Sequence, residues 1–126
     1  MNYVIIGNSA AAVGAVEGIR SIDRDGRITV ISDEKYRTYS RPLISYWLMG
    51  RVADDKIYYR GEDFYENNGV ETMLGRRAVK IDPAKKLVTL DDGAQIPYDK
   101  LLNATGSKPF VPPMKGLDKV KYSTFM

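Results

Sequence analysis

The segment Gly7-Asn8-Ser9-Ala10-Ala11-Ala12 is the first place where residue type and spacing suggest chemistry. Its six positions read as a degenerate G-x-G-x-x-G, the pattern that lays a dinucleotide pyrophosphate on a strand-to-helix turn. Gly7 can make the tight turn, while Ser9 and Ala12 stand in the second and third glycine positions. Both are small, so a phosphate could still approach the backbone and a helix could still sit close to a sheet. The amides near Ser9 and Ala10 would face the phosphate oxygens, helped by the positive end of the helix dipole. Farther on, Ser32-Asp33-Glu34 ends an apolar run. Glu34 lies close to the separation of about 20 residues expected of an acid that binds a ribose diol. It is preferred here over its neighbour Asp33. Taken alone, the turn fits an ordinary strand-to-helix junction of another α/β protein equally well, and solvated acids at strand ends are common.

The elements that would position these residues follow from the apolar pattern. Tyr3-Val4-Ile5-Ile6 is a continuous run of β-formers, as in a strand buried on both faces of a parallel sheet. Ala10 to Arg20 carries Val13, Val16 and Ile19 at helical spacing among small residues, and Asp25-Gly26 reads as a turn before the strand Arg27 to Ile31. Strand, turn, helix and strand within about 30 residues make a βαβ unit. Residues 42 to 50 predict a short helix opened by Pro42 and closed by Gly50. A second short helix is expected from Gly61 to Asn68, and a third parallel strand from Glu71 to Leu74. From Arg77 the pattern alternates, and with Asp92-Gly93 as a turn it predicts a small antiparallel meander. Leu101 to Thr105 returns as a sheet strand. The fold class is therefore α/β, a Rossmann-like parallel sheet with a small antiparallel β-meander.

Composition narrows the chemistry. The 126 residues include no Cys and no His. That excludes a disulfide framework, a thiol nucleophile, thiolate metal ligation and any Ser-His-Asp or Cys-His constellation within the chain. A reactive group would have to come from a cofactor or another polypeptide. The net charge of +3 arises from scattered basic residues, too mild a bias for a nucleic-acid partner. No apolar run approaches the roughly 20 residues of a membrane span, and the amino terminus has no secretory pattern, so a cytoplasmic location is expected. The Tyr58-Tyr59 and Phe64-Tyr65 pairs could stack on a flat cofactor, but at these spacings they are read as core.

The segment Tyr36-Arg37-Thr38-Tyr39-Ser40-Arg41-Pro42-Leu43-Ile44-Ser45 carries a resemblance, and three further motifs extend it. These are Leu74-Gly75 leading into Arg77 to Asp82, the stretch Lys86 to Gly93 followed by Ile96-Pro97-Tyr98-Asp99, and Asn103-Ala104-Thr105-Gly106. In this order the chain resembles the pyridine-nucleotide-dependent flavoprotein oxidoreductases. The similar branch comprises rubredoxin and ferredoxin reductases and the flavin portion of assimilatory nitrite reductases. The resemblance covers essentially the whole chain. It implies that Gly7, Ser9, Ala10 and Ala12 hold an FAD pyrophosphate and that Glu34 takes the adenosine ribose. It also implies that Arg41 lies along the adenine and pyrophosphate side, with Pro42 stiffening the approach. Val79 would offer its backbone to the adenine, and Ala104, Thr105 and Gly106 would end a strand beside the cofactor. No residue is assigned a catalytic role and no metal is expected.

Two departures stand out. Where many of these reductases place a Lys near the flavin ring, Ser45 is followed here by Tyr46-Trp47-Leu48. The absence of Cys separates the chain from relatives that reduce disulfides, peroxides or coenzyme A disulfide through a thiol.

The resemblance further implies a division of the chain. Residues 1–108 would be the N-terminal part of a discontinuous FAD-binding domain, and residues 109–126 a linker toward an NAD(P)-binding domain. On that expectation the chain is a fragment or one subunit of a split enzyme, partnered by the remainder of the enzyme. The parent would pass electrons from NAD(P)H through FAD to a redox protein such as a rubredoxin or ferredoxin, or to a fused metal centre. A nonenzymatic module binding NAD or an adenine nucleotide is the alternative. A simple sensor, however, needs neither the Arg41-Pro42 segment nor the Ala104-Thr105-Gly106 motif.

Overall fold

The computed structural model describes residues 1–121. Four parallel strands, β1 (Asn2–Ile6), β2 (Arg27–Ser32), β3 (Val70–Leu74) and β7 (Lys100–Asn103), form a sheet in the order β3-β2-β1-β7. Helix α1 (Ala10–Ile22) joins β1 to β2. Short helices α2 (Ile44–Leu48) and α3 (Phe64–Asn67) lie between β2 and β3. The chain then leaves the sheet to build an antiparallel meander of β4 (Ala78–Asp82), β5 (Leu87–Leu90) and β6 (Gln95–Pro97). It returns as β7 on the far side of β1. Successive strands thus step one way from β1 to β3, and the last steps the other way. The crevice between β1 and β7 is the topological switch point, where open α/β sheets bind ligands.

The apolar run of β1 is continuous because both faces of the sheet are covered. Ile5 faces α1, where it packs with Ala12, Val13, Val16, Ile28, Val30 and Phe64. Val4, Ile6 and Ile31 face the other way and pack with Val88 and Leu90 of the meander. Each face therefore takes alternate residues of one strand, and neither tolerates a polar side chain without a partner.

The short elements are tighter than their sequence pattern implies. Residues 42 to 50 resolve into a 3-10 turn over Arg41–Leu43 followed by α2, and Gly50 closes the segment at φ +70°. The helix expected from Gly61 to Asn68 contracts to α3, since the Gly61 carbonyl accepts only a turn bond from the Phe64 amide. Asn68 ends it by donating its side-chain amide to the Phe64 carbonyl at 2.8 Å. The strand expected at Leu101 to Thr105 stops at Asn103, whose side chain turns the chain by accepting from both the amide and the hydroxyl of Thr105.

Of the aromatic pairs read as core, Phe64 is buried and Tyr65 packs beside it. Tyr59 is exposed, and Tyr58 carries the Arg37 guanidinium 3.6 Å above its ring. Beyond β7, residues 104–121 contain only one short 3-10 turn, Leu117–Lys119. The last five positions of the linker expected over 109–126 lie outside the described residues.

Candidate functional site

A cavity of about 690 Å³ opens at the carboxyl ends of the parallel strands. That size lies within the usual range for small-molecule sites, roughly 300–1,000 Å³. Four stretches line it: Ile6 to Ser9 after β1, Ile31 to Glu34 with Arg41 after β2, Arg76 to Ala78 after β3, and Ala104 to Lys108 after β7. Apart from Arg41, which sits in the 3-10 turn Arg41–Leu43, each lies at or just after the end of a parallel strand.

Gly7 sits at the centre for two physical reasons. Its φ is +116°, a conformation that L side chains rarely adopt. A Cβ there would also lie 2.1 Å from the Ala104 carbonyl oxygen, so the glycine is what lets β7 approach β1. The turn is pinned from the sheet side, because the Gly7 amide donates to the Ile31 carbonyl at 2.8 Å and the Ala104 amide to the Ile6 carbonyl at 2.7 Å.

Ser9 occupies the N-cap of α1 but makes no side-chain hydrogen bond to the first turn. No acidic residue sits in that turn either. The helix therefore presents its first amides and the positive end of its dipole toward the cavity without a side chain to satisfy them. Ala12, in the third glycine position, is 2% exposed and packs into the α1 face of the sheet, so a methyl group fits where a glycine is the usual choice.

On the opposite wall Glu34 and Arg41 are joined. The Arg41 Nη2 donates to Glu34 Oε1 at 3.0 Å, and its Nη1 donates to the Tyr39 hydroxyl at 2.9 Å. Both side chains of the ion pair are about a third exposed. Burial, and then the neighbouring Glu34 carboxylate, push the Tyr39 phenol above its ordinary value, so it stays protonated and polar. The Glu34 backbone is fixed as well: its amide donates to Ser32 Oγ and its carbonyl accepts from the Gly75 amide.

Of the residues expected from the sequence, the structure brings Gly7, Ser9, Glu34, Arg41, Ala104, Thr105 and Gly106 to one cavity. Ala10, Ala12, Pro42 and Val79 are not on its wall. Ala10 and Ala12 belong to α1, and Pro42 lies inside the 3-10 turn that carries Arg41. Val79 is 58% exposed and falls at a register shift between Ala78 and Lys80, a bulge that opposes it to no residue of β5. Such a bulge leaves a backbone unit outside the ladder.

The sequence reading missed Asn8, Arg76, Arg77 and Lys108 as wall residues. Arg76 is tied to the meander by Asp92 at 2.8 Å. Among the described residues no cluster of three or more His, Cys, Asp or Glu side chains could hold a metal ion. No helix among them is long and apolar enough to cross a membrane.

A glycine turn and a bare helix N-terminus at the switch point of a parallel sheet define a Rossmann-like nucleotide-binding unit. The chain belongs to the family described as pyridine nucleotide-disulphide oxidoreductase, whose profile matches residues 1–125. It is 35% identical over 120 residues to the NADH-dependent phenylglyoxylate dehydrogenase subunit epsilon of Aromatoleum evansii, covering 95% of this chain and 28% of that one. It is 36% identical over 123 residues to the nitrite reductase [NAD(P)H] of Bacillus subtilis, covering 97% of this chain and 15% of that one. Among solved structures, NADH:rubredoxin oxidoreductase from Clostridium acetobutylicum superposes with a TM-score of 0.78 at 31% identity, over 93% of this chain and 30% of that one. The chain thus spans less than a third of the length of these relatives.

Proposed function

We propose that this chain is the FAD-binding part of an NAD(P)H-dependent flavoprotein oxidoreductase. In this reading, electrons pass from NAD(P)H through FAD to a redox protein or a metal-centre acceptor. The observation that carries it is the cavity at the β1–β7 switch point, where an uncapped helix N-terminus faces the Glu34–Arg41 pair across one opening. Amides and a dipole end on one side suit a pyrophosphate, and a carboxylate on the other suits a ribose diol.

In this reading each part of FAD has residues that would hold it. The Gly7–Ala12 turn would hold the pyrophosphate through backbone amides. Glu34, held by Arg41 at Oε1, would present its carboxylate to accept from ribose hydroxyls. Arg41 then faces the pyrophosphate as a charge-assisted donor whose orientation Glu34 and Tyr39 fix. Val79, next to the wall residue Ala78, would offer backbone groups to an adenine that extends past the wall, and Ala104 to Gly106 would pass close to the cofactor. When bound, FAD supplies the hydride-accepting and electron-passing chemistry; this chain's residues would bind and orient it.

Residues 1–108 are then the N-terminal part of the flavin domain, and residues 109–126 a connection toward a domain for NAD(P)H. Relatives named for rubredoxin support an acceptor of protein type. The remainder of the enzyme, in the same polypeptide or another subunit, is the partner this assignment requires. The test is a spectrum of the intact protein. A flavin absorption band that NADH or NADPH bleaches without oxygen is expected. A colourless protein that FAD cannot reconstitute overturns the assignment.

A further inference from the structure

The phosphate-facing turn has only one of the three glycines of its fingerprint, yet it is not left to hold its own shape. The Asn8 side chain, on the cavity wall, is engaged at both polar ends: Oδ1 accepts from the Tyr65 hydroxyl at 2.8 Å, and Nδ2 donates to the Tyr36 carbonyl at 3.3 Å. The same Tyr65 hydroxyl accepts from the Thr38 amide at 3.0 Å. Thr38 is 2% exposed, so its amide has no access to bulk water. A tyrosine hydroxyl has one proton to give and lone pairs to receive, and here one group bridges two segments 30 residues apart in sequence, Asn8 and Thr38. The Tyr65 ring is in turn held edge-on to Phe64, with centroids 5.4 Å apart at 74°, and Phe64 is buried in the core beneath α1.

We infer that Tyr65 and Asn8 are positioning residues for the cofactor. Together they lock the Gly7–Ala12 turn to the segment 36–41, so that the two walls of the cavity keep one spacing. The inference rests on the FAD reading given above and deepens it. Neither residue supplies charge to the ligand. Their effect is preorganisation: the turn and the Arg41-bearing segment are held at their separation before the cofactor arrives, and ordering them is not charged against binding.

The experiment measures FAD affinity of the intact protein, stripped of flavin and titrated with FAD, by the change in flavin fluorescence. Tyr65→Phe, Asn8→Ala and the double variant are compared with the wild type well below their melting temperatures. Each single variant is expected to raise the Kd for FAD about tenfold, and the double variant to raise it well short of the product of the two, because both remove the shared Tyr65–Asn8 bond while each also removes one bond of its own, to Thr38 or to Tyr36. A purely structural role would lower the melting temperature and leave the Kd unmoved, and an unmoved Kd overturns the proposal. A hundredfold loss in the double variant overturns it too, since that is the signature of two independent contacts. If Tyr65→Phe fails to fold, Asn8→Ala, which takes no core packing with it, decides the matter alone. Wild-type protein that binds no FAD refutes the flavin reading itself, a result distinct from variants that bind FAD as tightly as the wild type.

Discussion

The two ends of the parallel sheet are built from the same strands and treat their polar groups in opposite ways. At the amino end nearly everything is tied down. Arg20, in the last turn of α1, donates to four backbone carbonyls, those of Asp23, Gly26, Asn68 and Gly69. Asp23 accepts from the amides of Asp25 and Gly26 and from the Tyr3 hydroxyl. The Asn2 amide donates to Asp99 at 2.7 Å, and the Arg27 amide to the Met1 carbonyl. At the carboxyl end α1 starts with no side-chain cap, and a cavity of about 690 Å³ separates the strand ends. At the carboxyl end the side chains pair among themselves, as Glu34 does with Arg41 and Asn8 with Tyr65, but the first turn of α1 receives no side chain. That contrast supports the proposed placement of the site at the carboxyl end, because unmatched amides and a helix dipole are destabilising unless a ligand or water takes them up.

Substitutions at the two ends should therefore separate stability from binding. The largest effect is expected of Gly7→Ala, whose methyl group would meet backbone at 2.1 Å in a left-handed conformation. A loss of about 3 kcal/mol or more in urea unfolding is expected, together with loss of FAD retention. Arg20→Met keeps the aliphatic stem and removes the donors to four carbonyls. It should cost about 2–3 kcal/mol in the same measurement and leave the Kd for FAD of the folded protein unchanged. A changed Kd there would blur the division between the ends.

Glu34→Ala reverses that pattern. The Kd for FAD should rise about tenfold, roughly 1.4 kcal/mol, while the urea midpoint moves little. Unchanged affinity would remove Glu34 from the ribose role. The smallest effect is a pH dependence. Asp23 is held below the ordinary aspartate value, first by the Gly26 amide and then by the Tyr3 hydroxyl. A depressed folded value means that its contribution is fully present above the unfolded value of about 3.9. The contribution is lost as pH falls through the lower folded one. Stability measured by urea midpoint should decline through that acid range, and Asp23→Asn should flatten the decline.

The legibility of the fold followed from sequence-local physics. Val4, Ile5 and Ile6 announced a two-faced strand because a parallel sheet buries both faces, and α1 and the meander do cover them. The turn at Gly7 was readable from position alone, although the reason for the glycine was not: the Ala104 carbonyl that excludes a Cβ lies 97 positions away. Glu34 and Arg41 were each assigned a place, but their pairing depends on how the segment 34–41 folds back on itself. The spacing of Tyr65 predicts a core position, and its ring packs there. Its hydroxyl serves the turn through a hydrogen bond to Asn8 across 57 positions. No periodicity encodes such a bond, since it is set by where α3 docks.

Whether the carboxyl end of the sheet is the flavin site is tested most directly by amide hydrogen exchange of the intact protein with and without FAD. FAD is expected to slow exchange in residues 8–13, 34–41 and 104–108, and to leave residues 20–27 and 68–70 at the amino end unchanged. Protection confined to the amino end, or FAD bound without slowing exchange at the Gly7–Ala12 turn, would contradict that placement.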